Sequence, residues 1–479
     1  MKWTITDKIF YSGLSIVCVI LSVIAFTTEG TGGGGDSIAH YFIARFSWHH
    51  STLFFDHWGK PLYTIIASPF AQLGFSSIKL FNVLVTVFAC HFSYLLAKHF
   101  NMKNAAWIVL LYFFSPETIR VTLSGLTEPL FALVLIMGLY FIVKKQRITG
   151  TIILSFLPFV RSEGLIILCL LFIYLVYIKQ YRIVPWILLG HLMMSVAGIF
   201  VYHDLLWVFN KIPYARLDSV YGHGSWKHFI VQLYYIIGPI LYALVLISYI
   251  VFFTNVGKEF KLKIKDEVII DKAFLLYGMF ILFFVAHTVF WTLGIFGSLG
   301  LIRVFVGIIP IVALLSLEGF NNILDFLDSF QLNRFKKVMM VVVFAGLFFF
   351  CFINKKTFID YKHGFVLNED QKAIAHEIVP YIKQKYPLYK PYFSDIGFAY
   401  FFDIDIFGKE GNHQLSDIWK SDKLSDKDLI IWDSWFSRVE ERIERDSIMN
   451  NKGLKLDTTF KAVLRNNDTI SYYLFIKRQ

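Results

Sequence analysis

The amino-acid sequence predicts an α-helical polytopic membrane protein with about 11 transmembrane helices, followed by a small α/β domain. Three observations support this fold class. Hydrophobic residues make up 56% of the 479 residues and charged residues only 17%, which is more apolar surface than a soluble core of this length requires. Eleven apolar runs approach the ~20 residues that span a bilayer. After residue 353 the composition becomes that of an ordinary polar domain.

The apolar runs predict the order of the membrane part. The first run is too long for a signal-peptide core and lacks a small-residue cleavage site, so we interpret it as a retained anchor. The 104–116 run is short, and 148–178 fits either a helical hairpin or one kinked helix. The runs lie at 9–26, 78–98, 104–116, 126–143, 148–160, 163–178, 185–206, 232–253, 273–293, 300–317 and 337–353.

The distribution of positive charge predicts the orientation of these spans. The net charge is +11, and Lys and Arg cluster in alternate short connections, for example at 144–147 and 258–272. Such clusters mark cytoplasmic connections rather than a nucleic-acid-binding surface. We therefore expect a multi-pass protein of the inner (plasma) membrane with a cytoplasmic amino terminus. The four cysteines lie inside apolar runs, which argues against a disulfide framework or a cysteine metal site.

The connections on the predicted outer side concentrate ionisable residues. Charged groups near the bilayer are costly unless they are paired or hydrated, so their concentration indicates a functional site. Ordinary interfacial charge is the alternative for any single residue. The candidates are Asp36, His40, Asp56, His57, Lys60, Glu117, Glu128, Arg161, Glu163 and Arg303.

Four consecutive glycines, Gly32 to Gly35, directly precede Asp36. Glycine adopts backbone angles that other residues avoid and allows close approach of chain and ligand. We expect this loop to deliver Asp36 to the base of an outer cavity. A flexible spacer is the alternative.

This mixture of charges suits group transfer from a lipid-anchored phosphate donor. Such a reaction needs a cation for the phosphate, a carboxylate that deprotonates the acceptor, and a lateral opening for the lipid tail. The main alternative is a transporter or lipid flippase of a polar or lipid-linked substrate. Those proteins usually contain internal repeats and polar groups near the middle of the membrane, and the sequence has no repeat.

The sequence after the last apolar run predicts a separate extracytoplasmic domain. NEDQKAIAHEIVPYIKQKYP has helical apolar spacing and a plausible Asn cap. PYFSDI, DLIIWDSWF and SYYLFIKR have strand character, and DLIIWDSWF favours a buried strand over a site. We therefore divide the chain into a membrane domain at 1–353, with a long first outer loop at 27–77, and an α/β domain at 354–479.

Several of these stretches together resemble a known family. Asp36 followed by SIAHYFIAR, then WGKPLYTIIASPFAQLG, TEPLFALVLIMGLYF, PFVRSEGL and RVFVGIIPIVALL occur in the order typical of one membrane architecture. The chain resembles the GT-C superfamily of polyprenyl-phosphate-sugar-dependent glycosyltransferases. The resemblance covers residues 1 to about 355 and is strongest to the branch of protein O-mannosyltransferases and the lipid A aminoarabinose transferase.

The resemblance implies a reaction and roles for four residues. The expected activity is inverting transfer of a sugar from a polyprenyl-phosphate donor to a lipid, glycan or protein acceptor outside the cytoplasm. Asp36 then corresponds to the catalytic base and Glu128 to a second-loop acidic residue that orients substrate. Lys60 and Arg303 correspond to cations that bind the donor phosphate.

The chain departs from the family pattern at two positions. The first-loop acidic residue is commonly followed by a second one, whereas Ser37 follows Asp36 here. An acidic residue often precedes the Lys-Pro pair, and Gly59 stands in its place. The identity of the acceptor therefore cannot be inferred from that of a close relative.

The remaining candidates are expected to bind substrate. His40 lies four residues after Asp36, on the same face of a helix, and Asp56, His57 and Glu117 lie in the same outer connections. Histidine and carboxylate side chains also suit a divalent metal, but their spacing matches no defined site, so we predict no cofactor.

Arg161 and Glu163 flank a predicted turn at 158–164. We expect them to form an ion pair that braces this turn, with direct substrate contact as the alternative.

Overall fold

The computed structural model describes residues 4–213, 221–260, 266–353, 365–408, 413–419, 424–464 and 467–478. Within these ranges the chain is helical up to residue 353, and its strands follow residue 389. The predicted class, an α-helical membrane part with a small α/β part after it, is confirmed.

Seven described segments are long and apolar enough to cross a membrane. They correspond to seven of the predicted runs; most ends differ by a few residues, but the segment predicted at 300–317 continues to Ser329. The seven segments are Ile5–Thr27, Phe75–His99, Val184–Tyr202, Gly238–Asn255, Glu267–Leu293, Ile302–Ser329 and Asn333–Ile353.

The other four predicted runs lie in shorter helices. Three of them are Glu128–Val143, Arg147–Phe159 and Gly164–Tyr177. The fourth, at 104–116, is divided into short pieces. Pro116 opens a new helix, and Ser115 before it has an extended backbone, as the proline ring requires.

The α-helices of this part can be numbered in chain order. They are α1 (Ile5–Thr27), α2 (Gly34–Phe46), α3 (Pro61–Ala71), α4 (Phe75–His99), α5 (Ile108–Phe113), α6 (Pro116–Thr122), α7 (Glu128–Val143), α8 (Arg147–Ser155), α9 (Gly164–Tyr177), α10 (Leu189–Tyr202), α11 (Trp207–Asn210), α12 (His228–Ile236), α13 (Gly238–Phe260), α14 (Glu267–Lys272), α15 (Met279–Leu293), α16 (Ile309–Ser329) and α17 (Asn333–Phe348). Short 3₁₀ or π segments are Ser51–Phe55, Ala105–Trp107, Leu157–Phe159, Val184–Leu188, Ala273–Gly278, Ile302–Ile308 and Phe349–Ile353.

Burial separates the central helices from those that face lipid. The apolar window of Ile302–Ser329 is 83% buried inside the protein, whereas that of Asn333–Ile353 is 17% buried. The first belongs to the core of the bundle, and the second offers its apolar side chains to the bilayer. Arg303 therefore begins the most enclosed segment of the seven.

The predicted outer loop at 27–77 is mostly helical. It contains α2, the 3₁₀ turn Ser51–Phe55 and α3. Pro61 is the first residue of α3, where its missing N–H costs nothing because that position has no intrahelical partner. The loop thus carries its polar residues on short rigid elements.

The carboxyl-terminal part contains a four-stranded sheet of order β1-β2-β4-β3. Its strands are β1 (Lys390–Tyr392), β2 (Asp428–Asp433), β3 (Leu454–Val463) and β4 (Thr469–Lys477). β1 pairs in parallel with β2, and the other pairs are antiparallel. All six residues of β2 are buried, which confirms a buried strand for the DLIIWD part of DLIIWDSWF.

The helices around this sheet follow the predicted pattern in part. The predicted helix is present as α18 (Glu369–Ala373), the π segment Ile374–Ile378 and α19 (Val379–Lys385). Only the start of PYFSDI is strand, because the Asp395 carboxylate caps a new helix by accepting from the backbone of Gly397. The further helices are α20 (Ile396–Phe402), α21 (Leu415–Ile418) and α22 (Arg445–Met449), with a π segment at Phe436–Glu440.

The carboxyl-terminal part contacts both ends of α2. Before the helix, the Gly30 amide donates to the carbonyl of Phe365 at 2.9 Å. At its far end, Arg45 forms an ion pair with Asp403 at 2.7 Å. The proposed domain boundary at 353/354 adjoins residues 354–364, which lie outside the described residues.

Candidate active site

The glycine run makes a tight turn into α2. Gly32 and Gly34 have φ of +67° and +62°, in the left-handed region that favours glycine. A Cβ on Gly32 would lie 2.9 Å from the carbonyl oxygens of Arg120 and Leu123, so the backbones can approach only because this residue lacks a side chain. The turn places Asp36 in the first turn of α2. The run is therefore a close-packed entry to the helix rather than a spacer.

Arg303 joins two of the candidate carboxylates. It belongs to the 3₁₀ segment Ile302–Ile308, and its Nη2 donates to Oδ2 of Asp36. Its Nε lies 3.4 Å from Oε1 of Glu128, at the start of α7. Asp36 is 38% exposed at its side chain and Glu128 is fully buried, so the arginine spans from the accessible carboxylate to the enclosed one.

Arg161 connects Glu128 to the turn before α9. Its Nη1 lies 2.8 Å from Oε1 of Glu128 and donates to the Thr127 hydroxyl at 3.1 Å. Its Nη2 lies 2.7 Å from Oε1 of Glu163. The ion pair predicted between Arg161 and Glu163 is present, and the structure adds Glu128 as a second carboxylate on the same arginine.

Lys60 reaches the same turn from the start of α3. Its backbone has a φ of +64°, and its buried Nζ donates to the Ser162 hydroxyl at 3.2 Å. The preceding turn is closed by Asp56, whose Oδ1 accepts from the Gly59 amide at 2.7 Å. A Cβ on Gly59 would lie 2.4 Å from the Ile43 side chain, which explains why no acidic residue stands before Lys60.

The six charged groups form one compact network of balanced charge. Its members are Asp36, Lys60, Glu128, Arg161, Glu163 and Arg303. Glu128 is in ion-pair contact, yet neither of its carboxylate oxygens accepts a well-aligned hydrogen bond from the described residues. Buried charged oxygens usually have such partners, so this carboxylate retains capacity for a ligand or water.

Burial and neighbouring charge act in opposite directions on these groups. Burial raises the pKa of Asp36, but the adjacent Arg303 guanidinium outweighs it and holds that pKa below its usual value. At Glu163, burial again raises the pKa and the adjacent Arg161 lowers it. The effect of the arginine is larger, and the pKa is about 2. For Lys60 burial dominates and lowers the pKa to about 7. Both carboxylates are thus ionised at neutral pH, while Lys60 lies close to its midpoint.

The two histidines among the predicted candidates lie beside this network. His40 is buried on α2, where its ring meets that of Tyr63 at 5.7 Å, and burial lowers its pKa to about 3. The Nε2 of His57 lies 3.2 Å from the carbonyl of Trp207, and burial lowers its pKa to about 4. Both are therefore neutral near pH 7. A substrate-binding role for either stays a prediction.

Glu117 is buried, and its Oε2 accepts a 2.8 Å hydrogen bond from Nε of Arg120. Arg120 in turn donates from Nη1 to the carbonyl of Gly32 at 2.6 Å. This pair braces the glycine turn that positions Asp36. Contact between Glu117 and the substrate stays a prediction.

Among the described residues, no group of three His, Cys, Asp or Glu side chains lies close enough to hold a metal ion. Two arginines, Arg303 and Arg161, act electrostatically on Asp36, and cations of this kind repel a metal ion. The expectation of no metal cofactor stays a prediction.

Two further groups near this network were not among the predicted candidates. Glu440, in the carboxyl-terminal part, accepts from the Tyr221 hydroxyl at 3.3 Å and lies within electrostatic range of Asp36. Nothing local in the sequence marks it, because it reaches the site only through the fold. His287 lies on α15 within range of Glu163. A histidine inside an apolar run is itself a signal, since ionisable residues in spans are rare unless functional.

A comparison with solved structures identifies the architecture. The chain is similar to ArnT from Cupriavidus metallidurans, whose crystal structure was determined bound to undecaprenyl phosphate. The TM-score is 0.57 at 10% sequence identity, and the match covers 96% of this chain and 97% of ArnT. The chain shares the fold of ArnT. The resemblance to GT-C proteins is thereby confirmed at the level of the fold.

A comparison of amino-acid sequences gives a second similarity, which is confined to part of the chain. The chain is 36% identical over 102 residues to GPI mannosyltransferase 2 of Schizosaccharomyces pombe. This match covers 21% of the chain and about a fifth of that protein, 20% of its length. No protein-family model matches the sequence.

Proposed function

We propose that the protein is an inverting glycosyltransferase of the inner membrane that uses a polyprenyl-phosphate-linked sugar. The observation that carries this proposal is the buried network in which Lys60, Arg161 and Arg303 gather beside the accessible carboxylate of Asp36. Three cations offer binding for a phosphate, and one carboxylate beside them offers a base. The acceptor is a lipid, glycan or protein outside the cytoplasm.

The two similar proteins support this proposal independently. ArnT was determined bound to undecaprenyl phosphate, which favours a polyprenyl-phosphate donor for a chain of the same fold. The Schizosaccharomyces pombe relative is a mannosyltransferase, which favours sugar transfer as the reaction. Neither name selects the sugar or the acceptor here.

The proposed reaction is a single displacement at the anomeric carbon. An acceptor hydroxyl attacks C1 from the face opposite the phosphate, and the C1–O bond breaks with its electron pair leaving on the polyprenyl phosphate. The hydroxyl proton passes to the Asp36 carboxylate. A positioned base of this kind contributes on the order of 10²–10⁴-fold. Lys60 and Arg303 offset the negative charge that grows on the leaving phosphate, the arginine by a bidentate contact and the lysine as a point charge.

The ion pair between Arg303 and Asp36 supports an ordered sequence of binding. While Arg303 contacts Asp36, it holds the pKa of that carboxyl low and makes it a weak base. A donor phosphate competes for the same guanidinium. Its binding would loosen the ion pair, raise the pKa of Asp36 and free the carboxylate for the acceptor proton. Glu128, in contact with both arginines, would keep them oriented during this exchange.

The decisive experiment compares Asp36→Asn with Glu128→Gln. Both changes keep the shape of the side chain and remove its charge, but only Asp36 is proposed to accept a proton. Single-turnover transfer at saturating donor should slow by ~10²-fold or more in Asp36→Asn, while donor binding is retained. Glu128→Gln should have a smaller effect on the chemical step. Wild-type rates in Asp36→Asn would contradict the assignment of the base.

A further inference from the structure

A buried histidine adjoins the charged network without a hydrogen-bond partner at one nitrogen. His287, on α15, is 6% exposed, and within the described residues its Nε2 has no hydrogen-bond partner. It lies within electrostatic range of Glu163 and Arg161. A buried polar group left without a partner is destabilising, so its presence calls for a ligand or water.

Aromatic rings enclose this imidazole. The ring of His287 lies 4.4 Å from that of Phe283, 5.9 Å from that of Phe305 and 6.2 Å from that of Phe229, measured between centroids. Phe305 belongs to the same 3₁₀ segment as Arg303. The enclosure therefore adjoins the segment that carries Arg303.

Two more buried polar atoms without hydrogen-bond partners lie on α15 and on the neighbouring helix α12. Trp291 lies one turn after His287 on α15, and its Nε1 is buried without a hydrogen-bond partner among the described residues. On α12, Oε1 of Gln232 is likewise buried without a hydrogen-bond partner among the described residues. The rings of His228 and Trp291, 5.7 Å apart, join the two helices. Polar atoms without partners thus occur among aromatic rings where α12 packs on α15.

We propose that the transferred sugar of the donor binds between α12, α15 and the Ile302–Ile308 segment, and that His287 hydrogen-bonds one of its hydroxyl groups. A sugar suits this surface because its hydroxyls both donate and accept, and its C–H faces pack on aromatic rings. A phosphate suits it less well, since Lys60 and Arg303 already supply cations elsewhere in the network. The inference rests on the proposed function and names the part of the donor that this surface takes.

The test compares two ligands in His287→Phe. Phenylalanine fills the aromatic enclosure and removes the ring nitrogens. Equilibrium binding is measured with undecaprenyl phosphate and with undecaprenyl phosphate carrying mannose, glucosamine or arabinose, using whichever sugar the wild type binds most tightly. Affinity for the sugar-bearing lipid should fall about tenfold, while affinity for undecaprenyl phosphate stays within about twofold. His287→Gln, which retains an N–H donor, should recover part of the loss.

His191→Phe is the matched control. His191 is also partly buried and packs on aromatic rings, at 5.4 Å from Phe209, but it lies on α10 and is not a member of the charged network. Its substitution should change neither affinity.

An equal loss for both ligands in His287→Phe, or no loss for either, would overturn the sugar contact. A wild type that binds no sugar-bearing lipid more tightly than undecaprenyl phosphate would also overturn it. A wild type that binds none of these lipids would instead refute the proposed function itself, so the two failures are distinguishable.

Discussion

If Lys60 binds the donor phosphate as proposed, its near-neutral pKa predicts that donor affinity depends on pH. Burial lowers this pKa to about 7, so the side chain is mostly a cation at pH 6 and mostly neutral at pH 8. The proposed donor is a phosphodiester, which keeps its charge throughout this range. If only the cationic form binds it, the apparent Kd scales as one plus the ratio of neutral to charged lysine. That factor rises from about 1.1 at pH 6 to about 11 at pH 8, so affinity should fall up to roughly tenfold.

The assay is equilibrium binding of undecaprenyl-phosphate-linked mannose to the purified protein in lipid nanodiscs at pH 6, 7 and 8. Lys60→Met is the control, because it keeps an unbranched stem and removes the titrating group. It should bind more weakly than the wild type at pH 6 and show no pH dependence. The neighbouring histidines do not interfere, since the pKa of His40 is about 3 and that of His57 about 4. A flat wild-type profile, or a pH dependence that survives in Lys60→Met, would refute the role of Lys60.

Two further predictions concern the glycine turn and the orientation of the chain. Gly32→Ala should destabilise the protein by about 2 kcal/mol or more and reduce activity, because it combines a left-handed backbone with contacts to two carbonyl oxygens. Gly35→Ala, whose added Cβ meets no atom closer than 3.6 Å, should be tolerated; equal Tm values in detergent for the two variants would contradict the argument. A reporter fused after residue 360 should be active only outside the cytoplasm and one inserted in the 258–272 loop only inside. The reverse pattern would place the charged network on the cytoplasmic side and exclude an extracytoplasmic acceptor.

Local patterns in the sequence account for much of the fold. The apolar runs predicted the seven long spans because the length of a hydrophobic helix is set by the bilayer and is visible in a short window. The same holds for β2, whose continuous apolar residues require burial on both faces of the sheet. By contrast β3 was not predicted. Most of its residues are exposed or half exposed, and the polar run DTT interrupts the apolar alternation of LKLDTTFKAV.

The candidate site was predicted as a set of residues but not as an arrangement. Asp36, Glu128 and Arg303 could be chosen from residue type, predicted side of the membrane and family resemblance. Each of these cues is local to a segment. None of them indicates which charges meet, and Asp56 and Glu117, chosen by the same cues, prove to brace the turns before Lys60 and Asp36.

The amino-acid sequence by itself determined the membrane class, the long spans and the polar character of the connections predicted to lie outside, because each depends on composition within a window of about 20 residues. Only the tertiary structure decided that Arg303 pairs with Asp36 across 267 residues of chain, and that Arg161 joins Glu128 to Glu163. Ion pairs of this kind depend on where helices pack. Packing is the joint result of all the buried side chains, so no single segment records it.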